Sequence, residues 1–126
     1  MRSEVEIGLP REPTAPALAR ATVAAMGLGL PEAAMADVEL LTSEVVSNAV
    51  RHADLNPSEE IILRVVTDGY VRVEVTDPGP PFEAGPPKPE SGSGGWGLFL
   101  VDAIATAWGV EPEGVGKKVW FEVGTR

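Results

Sequence analysis

No cysteine occurs anywhere in this chain, which excludes a disulfide framework and thiolate chemistry and fits a reducing compartment. Basic residues are few: 10 Lys+Arg stand against 19 Asp+Glu, for a net charge of -9. Such a balance cannot neutralise a track of phosphates, which argues against direct nucleic-acid binding. The acidity serves solubility or selects a partner with a basic face. Long apolar runs are missing too. Nothing approaches the ~18 residues that suggest a membrane span, and the opening MRSEVEIGLP lacks the apolar region of a signal peptide. The expectation is a soluble cytoplasmic protein without membrane association. No G-x-x-x-x-G-K-[ST] motif is present, so a P-loop is excluded. There is no internal repeat and no sign of a second domain, and 126 residues suit one domain around one core.

What is present reads as globular: 44% hydrophobic and 23% charged residues. Val5, Ile7 and Leu9 alternate as a short strand closed by Pro10. The Ala-rich stretch TAPALARATVAAMGLG predicts a helix with Gly27 as its C-cap. From Glu32 to Ala53 the spacing is helical again, with Leu41, Val45, Val46 and Ala49 gathering on the face of Val38. EIILRVVTDGYVRVEVTD reads as two strands around Asp68-Gly69, a two-residue hairpin signal. Val71, Val73 and Val75 alternate with Arg72 and Glu74, giving the second strand one buried face. GLFLVDAIATAWG predicts a mostly buried helix capped by Gly109. KKVWFEV alternates Val119, Phe121 and Val123 as a last strand, paired with a short one near Val110 across EPEGVG. This order implies an α/β (α+β) two-layer sandwich, its mixed and mainly antiparallel sheet covered on one face by helices.

Between these elements lies a long irregular tract. Pro78 to Gly95 holds six prolines and five glycines, half of the chain's 12 prolines. Structureless segments of more than about 12–15 residues inside a domain are usually functional or disordered. The tract ends in GSGGWG, where Gly92, Gly94 and Gly97 formally match G-x-G-x-x-G. A dinucleotide fold needs those glycines directly after a strand. Here the preceding strand ends near Asp77, so that reading fails. Glycines leading into a helix N-terminus still make a place for a phosphate.

On the helix from 32 to 53, Glu44 and Asn48 stand one turn apart beside the apolar face. They fit a solvated helix edge, or a carboxylate and a carboxamide aimed into one cleft. In the second case Asn48 offers a neutral oxygen to a hard cation such as Mg2+, and Glu44 can accept a proton. His52, Arg51, Trp96, Trp108 and Trp120 read as flanking, surface or packing residues.

Three stretches fall in register: SEVVSNAVRHA, VEVTDPGPPF and GSGGWGLFLVDAI. Together they resemble the GHKL ATP-binding superfamily. NAVRHA, GLFLVDAIATAWGV and KKVWFEV look most like its anti-sigma-factor serine kinases and their stand-alone actinobacterial relatives. The resemblance covers essentially the whole chain. It implies a Bergerat-type ATP-binding fold over residues 1–126, with 78–95 as the ATP lid, kept irregular so that it can close and open.

The resemblance also implies roles. Glu44 matches the general base, and Asn48 the asparagine that coordinates Mg2+ at the nucleotide phosphates. Asp77 matches the acid that accepts from the adenine amine, and Gly79 the glycine that lets the backbone pass the base. Gly95 and Gly97 match the second glycine box, with Gly97 and Leu98 opening a helix toward the phosphates and Gly94 beside them as a further cofactor-binding residue. The implied activity is transfer of the ATP γ-phosphate to a serine of an anti-anti-sigma-type partner, with a sigma factor as a further partner and a homodimer left open. A nucleotide-sensing module that sequesters a partner without phosphorylating it is the alternative. Two positions depart from the pattern: Pro81 replaces the second glycine of D-x-G-x-G, and Lys118 stands where relatives carry a threonine that helps to hold the adenine-binding acid.

Overall fold

A computed structural model describes residues 2–52, 60–77, 96–114 and 116–124. Eight elements follow in chain order: β1 (Ser3–Leu9), α1 (Ala15–Ala25), α2 (Glu32–His52), β2 (Ile61–Thr67), β3 (Val71–Asp77), α3 (Trp96–Ile104), β4 (Ala107–Glu113) and β5 (Gly116–Val123). The strands form one sheet in the order β1-β2-β3-β5-β4. All four pairings are antiparallel, so the expected mixed sheet is corrected to a wholly antiparallel one among the described strands.

Period-two patterning decides which face is covered. Val71, Val73 and Val75 on β3, opposite Val123, Phe121 and Val119 on β5, are buried beneath the helices. Ile61, Leu63 and Val65 continue that face across β2. Helix α2 lies over β3 and β5, flanked by α1 and α3. Its stripe of Val38, Leu41, Val45, Val46 and Ala49 is buried, as the helical spacing predicts. α1 adds Ala15, Ala19 and Val23, each fully buried at intervals of one turn. It ends at Met26, and Gly27 follows with φ 61°, the left-handed turn that a glycine C-cap supplies.

The other sheet face carries charge instead of helices. Glu4, Arg64, Glu74, Arg72 and Glu122 run across it as a chain of ion pairs at 2.7 to 3.0 Å. Arg72 also stacks over the Trp120 ring, 4.1 Å from its centre. Trp120 thus belongs to this outer face, whereas Trp108 packs against the core edge and donates its indole N–H to Asp102 at 2.9 Å.

Two sequence expectations give way. The β2–β3 connection takes three residues, since Thr67 pairs with Val71; Asp68, Gly69 and Tyr70 form the turn, with Gly69 at φ 78°. The third helix stops at Ile104 instead of reaching Gly109. Thr106 already donates its N–H to the Glu122 carbonyl at 2.8 Å, and from Ala107 the chain is an edge strand on β5. Gly109 caps no helix; it pairs with Trp120, whose indole occupies the space that a side chain would need. The expected pairing near Val110 holds, with Val110 opposite Val119. Pro112 is tolerated because β4 is an edge.

Candidate functional site at the end of β3

The alternation that buries Val73 and Val75 carries on to Asp77, which therefore points toward the helices at the strand's end. Across the ladder Lys117 is its partner. Val45, Asn48 and Ala49 of α2, Val75 and Asp77 of β3, Leu98 of α3, and Lys117 and Val119 of β5 enclose a cavity of about 10 Å³. That is about the space of one water molecule. Apolar walls thus meet three polar side chains at one place.

Asp77 is 1% exposed, and both carboxylate oxygens are engaged. Oδ2 accepts from Lys117 Nζ at 3.1 Å, and Oδ1 accepts from Arg11 Nη2 at 3.4 Å. All three side chains are buried. Arg11 comes from the β1–α1 connection, 66 residues away in sequence. Charges removed from water in this way are tolerable only because they are paired. Asn48 is buried as well, and its Oδ1 has no hydrogen-bond partner among the described residues. A buried carbonyl oxygen without a donor is uncommon, and each instance calls for an explanation. The donor set fits the implied ligands: a neutral oxygen suits a hard cation, and a carboxylate with about four acceptor positions suits an exocyclic amine.

Of the residues singled out in the sequence, Asn48, Asp77 and Leu98 meet at this cavity. Glu44 sits one turn before Asn48 on α2, half-buried and off the cavity lining. Gly97 lies in the first turn of α3. Gly79, Gly94 and Gly95, with the whole tract 78–95 and Pro81, lie outside the described residues. Lys118 does not face Asp77: it lies on the outer sheet face, 3.6 Å from Glu74 and 3.5 Å from Glu113. Lys117 takes the place expected for it. Counting by twos from Val119 finds Lys117; Arg11, in an irregular connection, leaves no sequence signal.

This fold belongs to a known class. A family profile described as the histidine kinase-like ATPase domain matches residues 9–123, and the chain belongs to that family. Among individual proteins, it is similar to the serine-protein kinase RsbW of Oceanobacillus iheyensis, 29% identical over 116 residues, covering 79% of this chain and 73% of that protein. An uncharacterised protein of Streptomyces coelicolor, SCO4941, is 37% identical over 83 residues, covering 64% of this chain and 78% of that one. The crystal structure of the RsbU and RsbW domains of Rv1364c from Mycobacterium tuberculosis superposes with a TM-score of 0.75 over 97% of this chain. At 23% identity that likeness concerns the fold, and this chain spans 32% of that longer one. Among the described residues no helix is long and apolar enough to cross a membrane.

Proposed function

We propose that this chain binds ATP with Mg2+ at the cavity between α2, α3, β3 and β5, and transfers the γ-phosphoryl group to a serine of an anti-anti-sigma-type regulatory protein in the cytoplasm. One observation carries the proposal: Asn48, whose Oδ1 has no hydrogen-bond partner among the described residues, and Asp77 line the same cavity between apolar walls. Membership of the ATPase family and the likeness to a serine-protein kinase support it. On this reading residues 1–126 act as one ATPase domain, with 78–95 as the lid that carries Gly79, Gly94 and Gly95. Asp77 accepts from the adenine amine. Gly97 and Leu98 open α3 at its N-terminus, where backbone N–H groups favour phosphate. Asn48 holds Mg2+, which when bound supplies neutralisation of phosphate charge.

Glu44, one turn before Asn48, takes the proton of the attacking serine hydroxyl. The new bond joins serine oxygen to the γ-phosphorus, and the bond to the β-phosphate oxygen breaks, releasing ADP. Positioning carries most of such a transfer, and a placed base is worth about 10²–10⁴ in rate. Incubation with labelled ATP and an anti-anti-sigma-type protein should give phosphoserine, and Glu44→Gln should bind both yet transfer at least about a hundredfold more slowly. An unchanged rate would remove Glu44 from the role of base.

A second reading has its own observation. Both Asp77 oxygens are already bonded to cations, and the space beside them is about one water in size. Nucleotide must rearrange these bonds to reach Asp77, so its entry can gate the holding of a partner in a module that performs no transfer. Tight binding of a confirmed partner and ATP, with no phosphoserine formed, selects this reading.

A further inference from the structure

Lys117 places an ammonium beside the carboxylate of Asp77, 3.1 Å apart, and both line the cavity that Asn48 also lines. The pair therefore offers an acceptor and a donor side by side, with Val75 and Val119 of the sheet on one wall and Val45 and Ala49 of α2 on the other. The two polar groups complement a flat heteroaromatic edge with a neighbouring donor and acceptor, for which the cavity of about 10 Å³ must widen. Adenine has such an edge: the exocyclic amine donates, and ring nitrogen N1 beside it carries a lone pair. We propose that Lys117 is a specificity-determining residue, donating to N1 of adenine while Asp77 accepts from the amine. The inference rests on the reading of this cavity as the ATP site.

The chemistry of the two groups allows it. An ammonium has three donors on one nitrogen, so it can bond a carboxylate and a ring nitrogen together. Arg11 holds the opposite carboxylate oxygen at 3.4 Å, fixing the orientation of Asp77 from the other side. Guanine meets the reverse pattern at both positions. Its O6 acceptor would face the carboxylate, and its N1–H would point at the ammonium. Lys117 thereby adds a second point of rejection to the one at Asp77, where a lone carboxylate supplies only the first. A site built to pair specific donors and acceptors discriminates strongly, because the wrong ligand leaves buried groups unmatched.

A different role for the same lysine predicts the opposite sign. If Lys117 merely competes with the amine for Asp77, removing it frees the carboxylate and strengthens ATP binding. Calorimetric titration with ATP and with 1-deaza-ATP, in which a C–H replaces N1, separates the two. The wild-type chain should bind 1-deaza-ATP roughly tenfold or more weaker than ATP, the worth of a hydrogen bond to a charged donor. Lys117→Met should bind ATP weaker by a similar factor and no longer distinguish the two nucleotides. Equal binding of both by the wild-type chain overturns the role of Lys117. So does a Lys117→Met variant that binds ATP as tightly as wild type or tighter. The wild-type comparison stands by itself if the variant does not fold. No binding of ATP by folded wild-type chain overturns the ATP site itself, a separate outcome from equal binding.

Discussion

At Asn48 the demands of folding and of the proposed function pull apart. A buried carboxamide oxygen left without a donor costs roughly 1–3 kcal/mol, and Asn48 is 7% exposed with its Oδ1 unpartnered among the described residues. Removing the side chain therefore relieves a cost while deleting the proposed cation ligand. Asn48→Ala should lose Mg2+-dependent ATP binding in calorimetry, yet melt at the same temperature as wild type or higher. A variant that still binds ATP with Mg2+ refutes the ligand assignment. Asp77 behaves differently, because Arg11 and Lys117 both depend on it. Asp77→Asn removes the carboxylate charge from two buried ion pairs, a loss that runs to about 3–5 kcal/mol for broken buried pairs. Urea denaturation should show that drop together with loss of ATP binding, so the two readouts separate Asn48 from Asp77. That Asp77 and Asn48 meet at one cavity was legible in the sequence because each sits in a patterned element next to a recognisable motif. Lys117 was missed by a single step of register, and a one-residue step in a strand exchanges the two faces. Arg11 comes from an irregular connection far away in sequence, where no periodicity operates.

Elements were legible where their pattern was long. The apolar stripe of α2 repeats over three turns, and Val38, Leu41, Val45, Val46 and Ala49 are buried as that stripe requires. The end of α3 was not legible, because ATAWGV continues the apolar run of the helix before it without a break and local composition cannot tell a buried helix from an edge strand. Pairing with β5 decides the matter: Thr106 bonds Glu122, and Trp108, Gly109 and Val110 fall opposite Phe121, Trp120 and Val119. Gly109 reports on that choice. A Cβ added there would stand 2.8 Å from the Trp120 indole nitrogen and 3.0 Å from two ring carbons. Trp120 would have to move, disturbing its stack under Arg72. Overpacking of this kind costs about 1–3 kcal/mol. Gly109→Ala should lower urea stability by that amount. Trp120→Ala in the same chain should abolish the penalty of the added methyl, since the ring is its cause. If Gly109→Ala is neutral, the close approach of strand and indole is wrong.

Across the whole molecule, the sheet divides two kinds of cohesion. One face is apolar under the helices; the other is held by carboxylates and guanidinium groups, in a chain with net charge -9. Glu74 stands at the centre of the charged face, 5% exposed, bonded by Arg72 at 2.8 Å and Arg64 at 3.0 Å, with Lys118 at 3.6 Å. Burial alone would raise its pKa, but the hydrogen bonds from Arg72 and Arg64 outweigh it and hold the carboxyl below its ordinary value of 4.5. A carboxyl that is more acidic folded than unfolded stabilises the fold at pH values above its unfolded pKa. As pH falls below about 4.5 the unfolded chain takes up the proton first, and the contribution declines until the folded carboxyl is protonated too. Glu4, bonded by Arg64, is lowered in the same direction, so the two act together at opposite ends of one guanidinium. Thermal melts between pH 7 and pH 3 should therefore show stability falling below about pH 4.5. Glu74→Gln should be less stable than wild type at pH 7, because Arg64 and Arg72 lose their shared partner. Its stability should also fall less steeply in acid, so that the two curves converge at the lowest pH. Parallel curves would mean that Glu74 titrates alike in both states and that the outer face is solvated charge without cohesion.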